Sequence, residues 1–358
     1  MWPPSAPPSR HRLVRTHARA ARVLAHTLEL PAIGWKGSFN GVVDEALGSW
    51  PAVVVRPTTP PPWPAIMFVN GATPEGRTHA VVRRLAASLA RLGHVVFVPD
   101  LPGIVNGELS PRTVGAAIEC ATCAADAAET RDGRIALVGV SIGGSVALLV
   151  APAPELAGRV SVVAAIAPFT DLEKVMMLAT TGTYPGERGP EPYHVPPSLA
   201  IGLARSLVAS LSPTPDARAL GSALERIDPL SPDPLGPLRE SPCRSLGPAA
   251  GTAQALLLNR DPSRFADLYA ALPADVRRAV ASLSPLRSAT KLTAPVEIAT
   301  APRDAYFPLA ESLALQRAAP HVRITITSAL AHARPRMRNI LAFARLEGFF
   351  ARSLSSAS

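Results

Sequence analysis

Short apolar runs recur along the chain and alternate with stretches whose apolar positions fall three or four residues apart. The runs at residues 65–69, 94–98, 134–138 and 159–167 are rich in Val, Ile, Ala and Phe. Such runs, apolar on both faces, read as strands buried within a parallel sheet. Between them, residues 78–92 and 113–128 carry apolar side chains at helical spacing, and Gly93 stops the first. Residues 39–46 and 50–56 read as two strands about a turn at Gly48-Ser49, followed by a proline-rich loop at 57–64. This rhythm predicts an α/β protein with a mostly parallel, doubly wound sheet covered by helices on both faces.

The alternation breaks after residue 171. Up to residue 290 there are helical stretches, notably 198–211 and 265–283, separated by loops dense in Pro, Gly and Ser and without a strand pattern. An insertion of that length between core strands is expected to pack as a helical cap over the carboxyl edge of the sheet. The rhythm then returns, with a strand at 295–299, a helix at 309–319, a strand at 322–327 and a closing helix at 335–352. The expected organisation is a basic N-terminal arm at 1–30, the first part of the core at 31–171, the cap at 172–290 and the second part of the core at 291–358. Within the arm, residues 1–9 read as disordered and 10–28 as a basic amphipathic helix. The narrow apolar face of that helix suits packing on the domain, with an anionic membrane surface as the alternative.

Composition narrows the function classes. With 358 residues and 47% hydrophobic content the chain holds a sizeable core. The net charge is +9, but no basic stripe interleaved with aromatics occurs, which argues against a nucleic-acid partner. Almost all basic residues are arginine, since lysine occurs only at Lys36, Lys174 and Lys291. Cys120, Cys123 and Cys243 are too few for a disulfide framework. The spacing of Cys120 and Cys123 suits a metal, yet they lie in an alanine-rich helical run without a second ligand pair, so they read as buried thiols. No metal and no organic cofactor is expected. The sequence has no apolar run long enough to span a membrane and no leader pattern, so a cytoplasmic setting is expected.

The candidate chemistry lies at strand ends. Gly139-Val140-Ser141-Ile142-Gly143 follows the 134–138 strand and opens a small-residue helix, the setting of a nucleophile elbow. The plain alternative is a glycine-rich turn that binds phosphate or merely packs closely. Groups at the carboxyl ends of strands gather in an open parallel sheet. Asp304 follows the 296–299 strand and His332 follows the 322–327 strand, in the order Ser, Asp, His. A serine hydroxyl needs a base to take its proton, and the base needs a carboxylate to fix its tautomer. Taken singly, His332 reads as a loop histidine and Asp304 as a turn aspartate. Asp171, after the 159–167 strand, is the rival acid or else caps the next helix, and Asp100 organises its loop.

On these residues, over about 53–350, the chain resembles the α/β-hydrolases that carry a helical cap. The resemblance implies Ser141 as nucleophile, His332 as base and Asp304 as acid. It also implies an oxyanion hole from the N–H of Ile142 and that of Ala72 or Gly71. The family often has histidine where this chain has Asn70, which leaves the backbone donors intact. A serine at the elbow argues against the dehalogenases and epoxide hydrolases of similar fold. The implied activity is hydrolysis of a small, ester-like and hydrophobic acyl substrate. An acyltransferase with the same triad and a non-catalytic ligand-binding protein remain open.

Overall fold

The computed structural model describes residues 10–27, 38–186, 189–229, 231–332, 334–335 and 339–357. The expected disorder of residues 1–9 falls outside them. In chain order the first half comprises α1 (Arg10–Thr27), β1 (Phe39–Leu47), β2 (Trp50–Pro57), β3 (Trp63–Val69), α2 (Ala80–Arg91), β4 (Val95–Pro99), α3 (Pro111–Asp126), β5 (Thr130–Val140), α4 (Ile142–Val150) and β6 (Val160–Ile166). There follow α5 (Leu172–Thr181), β7 (Thr183–Gly186), β8 (Gly189–Pro192), α6 (Pro197–Ala209), α7 (Pro215–Glu225), α8 (Gly236–Glu240), α9 (Pro248–Leu258), α10 (Phe265–Ala270) and α11 (Ala274–Ser282). The core resumes with β9 (Val296–Thr300), α12 (Leu309–Ala318), β10 (Val322–Ile326) and α13 (Ile340–Ala357).

Eight strands form one sheet in the order β1-β2-β4-β3-β5-β6-β9-β10. β2 runs antiparallel to both its neighbours, and every pairing from β4 to β10 is parallel. β3, β4 and β9 are buried along almost their whole length, as strands covered on both faces must be. β5 lies mid-sheet, with Val69 opposite Gly139 on one side and Ile166 opposite Val140 on the other. It begins before the apolar run that announces it, because the ladder with β3 shifts register between Trp63 and Ala65 and resumes after the bulge. All residues of α4 are buried, and its Gly, Ser and Ala side chains let it lie close against β5 and β6.

α1 packs against α2 and α13, with Ala20, Val23 and Leu24 buried. His17 reaches Glu347 at 2.9 Å and His26 reaches Ser88 at 2.7 Å. Its narrow apolar stripe is therefore turned onto the domain.

The inserted segment departs from its reading in two places. Residues 265–283 form two helices, because Pro273 cannot donate the helical hydrogen bond that one continuous helix needs. A hairpin, β7 with β8, stands where no strand was expected. Its sequences, Thr-Tyr-Pro-Gly and Gly-Pro-Glu-Pro, carry no alternation of apolar and polar residues to betray it. The closing helix starts at Ile340, where Asn339 Oδ1 accepts the N–H of Ala342 as a cap. No described helix is long and apolar enough to cross a membrane.

Candidate active site

The site is built on the turn from β5 into α4. Ser141 sits at φ 56° and ψ −128°, a region that a side chain enters only under strain. The flanking glycines make that turn possible. A Cβ on Gly139 would lie 2.2 Å from the carbonyl oxygen of Gly143, and one on Gly143 would lie 2.3 Å from that of Val69. The Ser141 N–H donates to the Ile166 carbonyl at 2.7 Å, which ties the turn to β6. Its hydroxyl is left standing above the carboxyl ends of the strands.

His332 follows β10 and also has a positive φ, 52°. Its Nε2 lies 2.8 Å from Ser141 Oγ, and its Nδ1 lies 2.7 Å from Asp304 Oδ1. The same Oδ1 accepts the N–H groups of Tyr306 at 2.8 Å and Phe307 at 3.1 Å, in the loop between β9 and α12. The Asp304 side chain is fully buried and that of His332 nearly so. Tyr306 stacks on the imidazole with 4.2 Å between ring centroids, and Phe307 meets its edge at 5.6 Å. The ring is thus held on two sides.

Asp171 does not take part in this contact. It stands at the N-cap position of α5, but its carboxylate does not cap the helix as expected. The N–H of Leu172 goes to Ser284 Oγ at 3.0 Å instead, and Asp171 Oδ2 lies 3.6 Å from Lys174 Nζ. Asp100 is a loop residue, paired with Arg77 and anchored by its N–H to the Pro51 carbonyl at 2.7 Å.

Gly71 and Ala72 follow β3 and line one cavity with Ser141, Ile142 and His332. Ile142 heads α4, so its N–H has no intrahelical acceptor. Asn70 is buried and donates through Nδ2 to the Gly71 carbonyl at 2.9 Å, a contact that shapes the loop from within. The cavity, about 870 Å³, is lined mainly by apolar side chains. Leu172, Val175, Leu199 and Leu203 come from the inserted segment, whereas Leu24, Phe68, Val82 and Leu85 come from the α1 and α2 side.

Four residues of the site's surroundings carried no mark in the sequence. Glu311, in the first turn of α12, is fully buried and accepts the N–H groups of Thr170 at 2.6 Å and Asp171 at 2.7 Å. Tyr184 donates to it at 2.5 Å. Burial pushes this carboxyl above the usual range despite those donors. The Tyr193 hydroxyl donates to the main-chain carbonyl of Asp304, and burial followed by the Asp304 charge pushes that phenol up to about 12. Tyr306 completes the set. An acid near a helix start ordinarily reads as a surface residue, and lone tyrosines are spaced like any others.

A serine on a strained strand-to-helix turn of a central parallel strand, with a carboxylate and a histidine after the last two strands of the eight-stranded sheet, is a specific topology. The chain has the α/β-hydrolase fold. The fold is similar to that of dipeptidyl peptidase 4 from Porphyromonas gingivalis (14% identity, TM-score 0.49), aligned over 88% of this chain and 35% of that one. It is similar to acylaminoacyl peptidase from Pyrococcus horikoshii (13% identity, TM-score 0.49; 90% and 41% covered). An esterase from Pyrobaculum calidifontis aligns over 97% of this chain and 92% of its own (16% identity, TM-score 0.49). The chain thus spans well under half the length of the two peptidases. No protein-family model and no curated protein matches it in sequence.

Among the described residues no group of three His, Cys, Asp or Glu side chains is placed to hold a metal ion. Cys120, Cys123 and Cys243 are free thiols, and burial pushes that of Cys120 up to about 12.

Proposed function

We propose that the protein is a serine hydrolase that cleaves a small, apolar ester through an acyl-enzyme on Ser141. The observation that carries this reading is the relay of contacts, Ser141 Oγ to His332 Nε2 at 2.8 Å and His332 Nδ1 to Asp304 Oδ1 at 2.7 Å. With the proton on Nδ1 donated to Asp304, Nε2 is free to accept the serine proton. Ser141 Oγ attacks the ester carbonyl, and the N–H groups of Ile142 and Ala72, with Gly71 as the alternative second donor, stabilise the oxyanion. His332 hands its proton to the departing alkoxide. Water, deprotonated by the same nitrogen, then releases the acid and restores the serine.

The cavity supports the substrate class. Its volume of about 870 Å³ suits a ligand with sizeable groups around the carbonyl. No Asp or Glu is among the described residues that line it, while Arg84 and His79 are, so a cationic amine finds no counter-charge there; a neutral apolar ester does not need one.

Hydrolysis of p-nitrophenyl esters of graded acyl length tests the proposal. Esters of intermediate length are expected to outpace the acetate. A fluorophosphonate probe is expected to label the wild type and not Ser141→Ala. If Ser141→Ala and His332→Ala both hydrolyse these esters at the wild-type rate, the triad is wrong.

A further inference from the structure

The β7–β8 hairpin of the inserted segment reaches across to the loop that carries Asp304. We propose that Tyr184, Tyr193 and Glu311 are positioning residues that hold this loop so that the Asp304 carboxylate stays against His332 Nδ1. The proposal rests on the reading of Ser141, His332 and Asp304 as a catalytic triad.

The hairpin holds the loop at its middle and at the helix into which it runs. The Tyr193 hydroxyl, one residue past β8, donates to the main-chain carbonyl of Asp304 itself. The Tyr184 hydroxyl donates at 2.5 Å to Glu311 in the first turn of α12. The two tyrosines are tied to one another by the ladder, in which Tyr184 pairs with Glu191 and Thr183 with Pro192. The N–H of Tyr193 closes that end by donating to the Gly182 carbonyl at 2.8 Å. Two hydroxyls, one in the hairpin and one directly after it, therefore meet the loop at Asp304 and the helix that follows it.

Glu311 extends the grip. Its Oε2 accepts from the N–H groups of Thr170 and Asp171, while the Thr170 hydroxyl donates to its main-chain carbonyl at 2.8 Å. That places the turn after β6 under the same carboxylate. Phe169 of this turn meets the Phe307 ring edge at 5.5 Å, and Phe307 in turn meets the edge of His332. Glu311 is fully buried, and among the described residues its hydrogen-bond partners are two backbone N–H groups and two hydroxyls, with no cation. A buried carboxylate held this way fixes the geometry of everything that donates to it. Burial keeps both phenols protonated and donating across the neutral range.

The consequence is catalytic, because a misplacement of about 1 Å costs roughly a hundredfold in rate, and groups behind the reacting residues set that placement. The test is Tyr193→Phe and Tyr184→Phe in the full chain, with Tyr269→Phe as control. Tyr269 is another half-buried phenol of the inserted segment; its ring stacks on Phe265 and its hydroxyl bonds Glu173 of α5, not Asp304 or Glu311. Three readouts are needed: kcat and KM for p-nitrophenyl butyrate, the thermal midpoint, and the far-downfield proton resonance of the His332 to Asp304 hydrogen bond.

Tyr193→Phe is expected to lower kcat about tenfold with KM within about twofold, and to broaden or shift the downfield proton. Tyr184→Phe should do the same more weakly, and Tyr269→Phe should alter neither. The proposal is overturned if the downfield proton and kcat of both variants match the wild type, if only KM rises, or if Tyr269→Phe lowers kcat equally. Should the wild type hydrolyse no ester yet show a downfield proton that Asp304→Asn abolishes, the functional reading fails. The proton resonance of the tyrosine variants still decides the positioning role in that case.

Discussion

Ser141 is a residue whose backbone and side chain make opposite demands. At φ 56° and ψ −128° a glycine would be unstrained, yet the proposed chemistry needs the hydroxyl. Ser141→Gly and Ser141→Ala are therefore both expected to lose ester hydrolysis by about 10⁴-fold or more, while the glycine variant is the more stable by about 1 kcal/mol. Urea unfolding of the pair reads this directly, and equal stability would mean the turn is not strained. Under the proposed roles, Asp304→Asn is expected to lower kcat roughly 10⁴-fold with the fold intact, because an amide no longer holds the Nδ1 proton. Single-turnover kinetics and circular dichroism together check it. The positions of Ser141, Asp304 and His332, which the fold brings into contact, were legible because each stands past a strand that its own apolar run announces. Glu311, Tyr184 and Tyr193 were not, because their partners lie far away in sequence and leave no local period.

At the scale of elements, α6 shows how closely the inserted segment is seated. A Cβ on Gly202 would lie 2.8 Å from the carbonyl oxygen of Gly107, and the N–H of Leu109 donates to Ser206 Oγ at 2.9 Å. The helix therefore meets the loop after β4 backbone to backbone. Gly202→Ala must push α6 outward, at an expected cost of about 1–3 kcal/mol, and shift the acyl-length preference of the wall that Leu199 and Leu203 form. A melting curve and the graded ester series measure the two effects. The helical character of 198–211 could be read from its spacing, whereas the glycine contact could not. Spacing reports which face of a helix is apolar and says nothing of how near the next backbone comes.

At the scale of the molecule, burial of titratable groups sets how stability responds to pH. His94 is fully buried at the start of β4, and burial, then the nearby Arg19 charge, lowers its pKa from 6.5 to about 4. In the folded state it stays neutral down to that value, while the unfolded chain takes up a proton below 6.5. Its contribution is present above pH 6.5 and is lost as pH falls toward 4, by roughly 3 kcal/mol in all, at about 1.4 kcal/mol per unit. Denaturant unfolding at pH 7 and pH 5 is expected to show a steeper loss in the wild type than in His94→Gln. Equal slopes would place the histidine in water.

Local pattern by itself determined the α/β alternation, the interruption between residues 172 and 290, and the three strand ends at which Ser141, Asp304 and His332 stand. These follow from periodicity and turn chemistry, which act between neighbours along the chain. Only the tertiary structure decided that Asp304, and not Asp171, faces His332, that α1 helps wall the cavity, and that two tyrosines in and beside an unannounced hairpin meet Asp304 and the helix after its loop. Those are contacts across long separations, made by single polar groups whose partners the chain fold alone brings within hydrogen-bond reach.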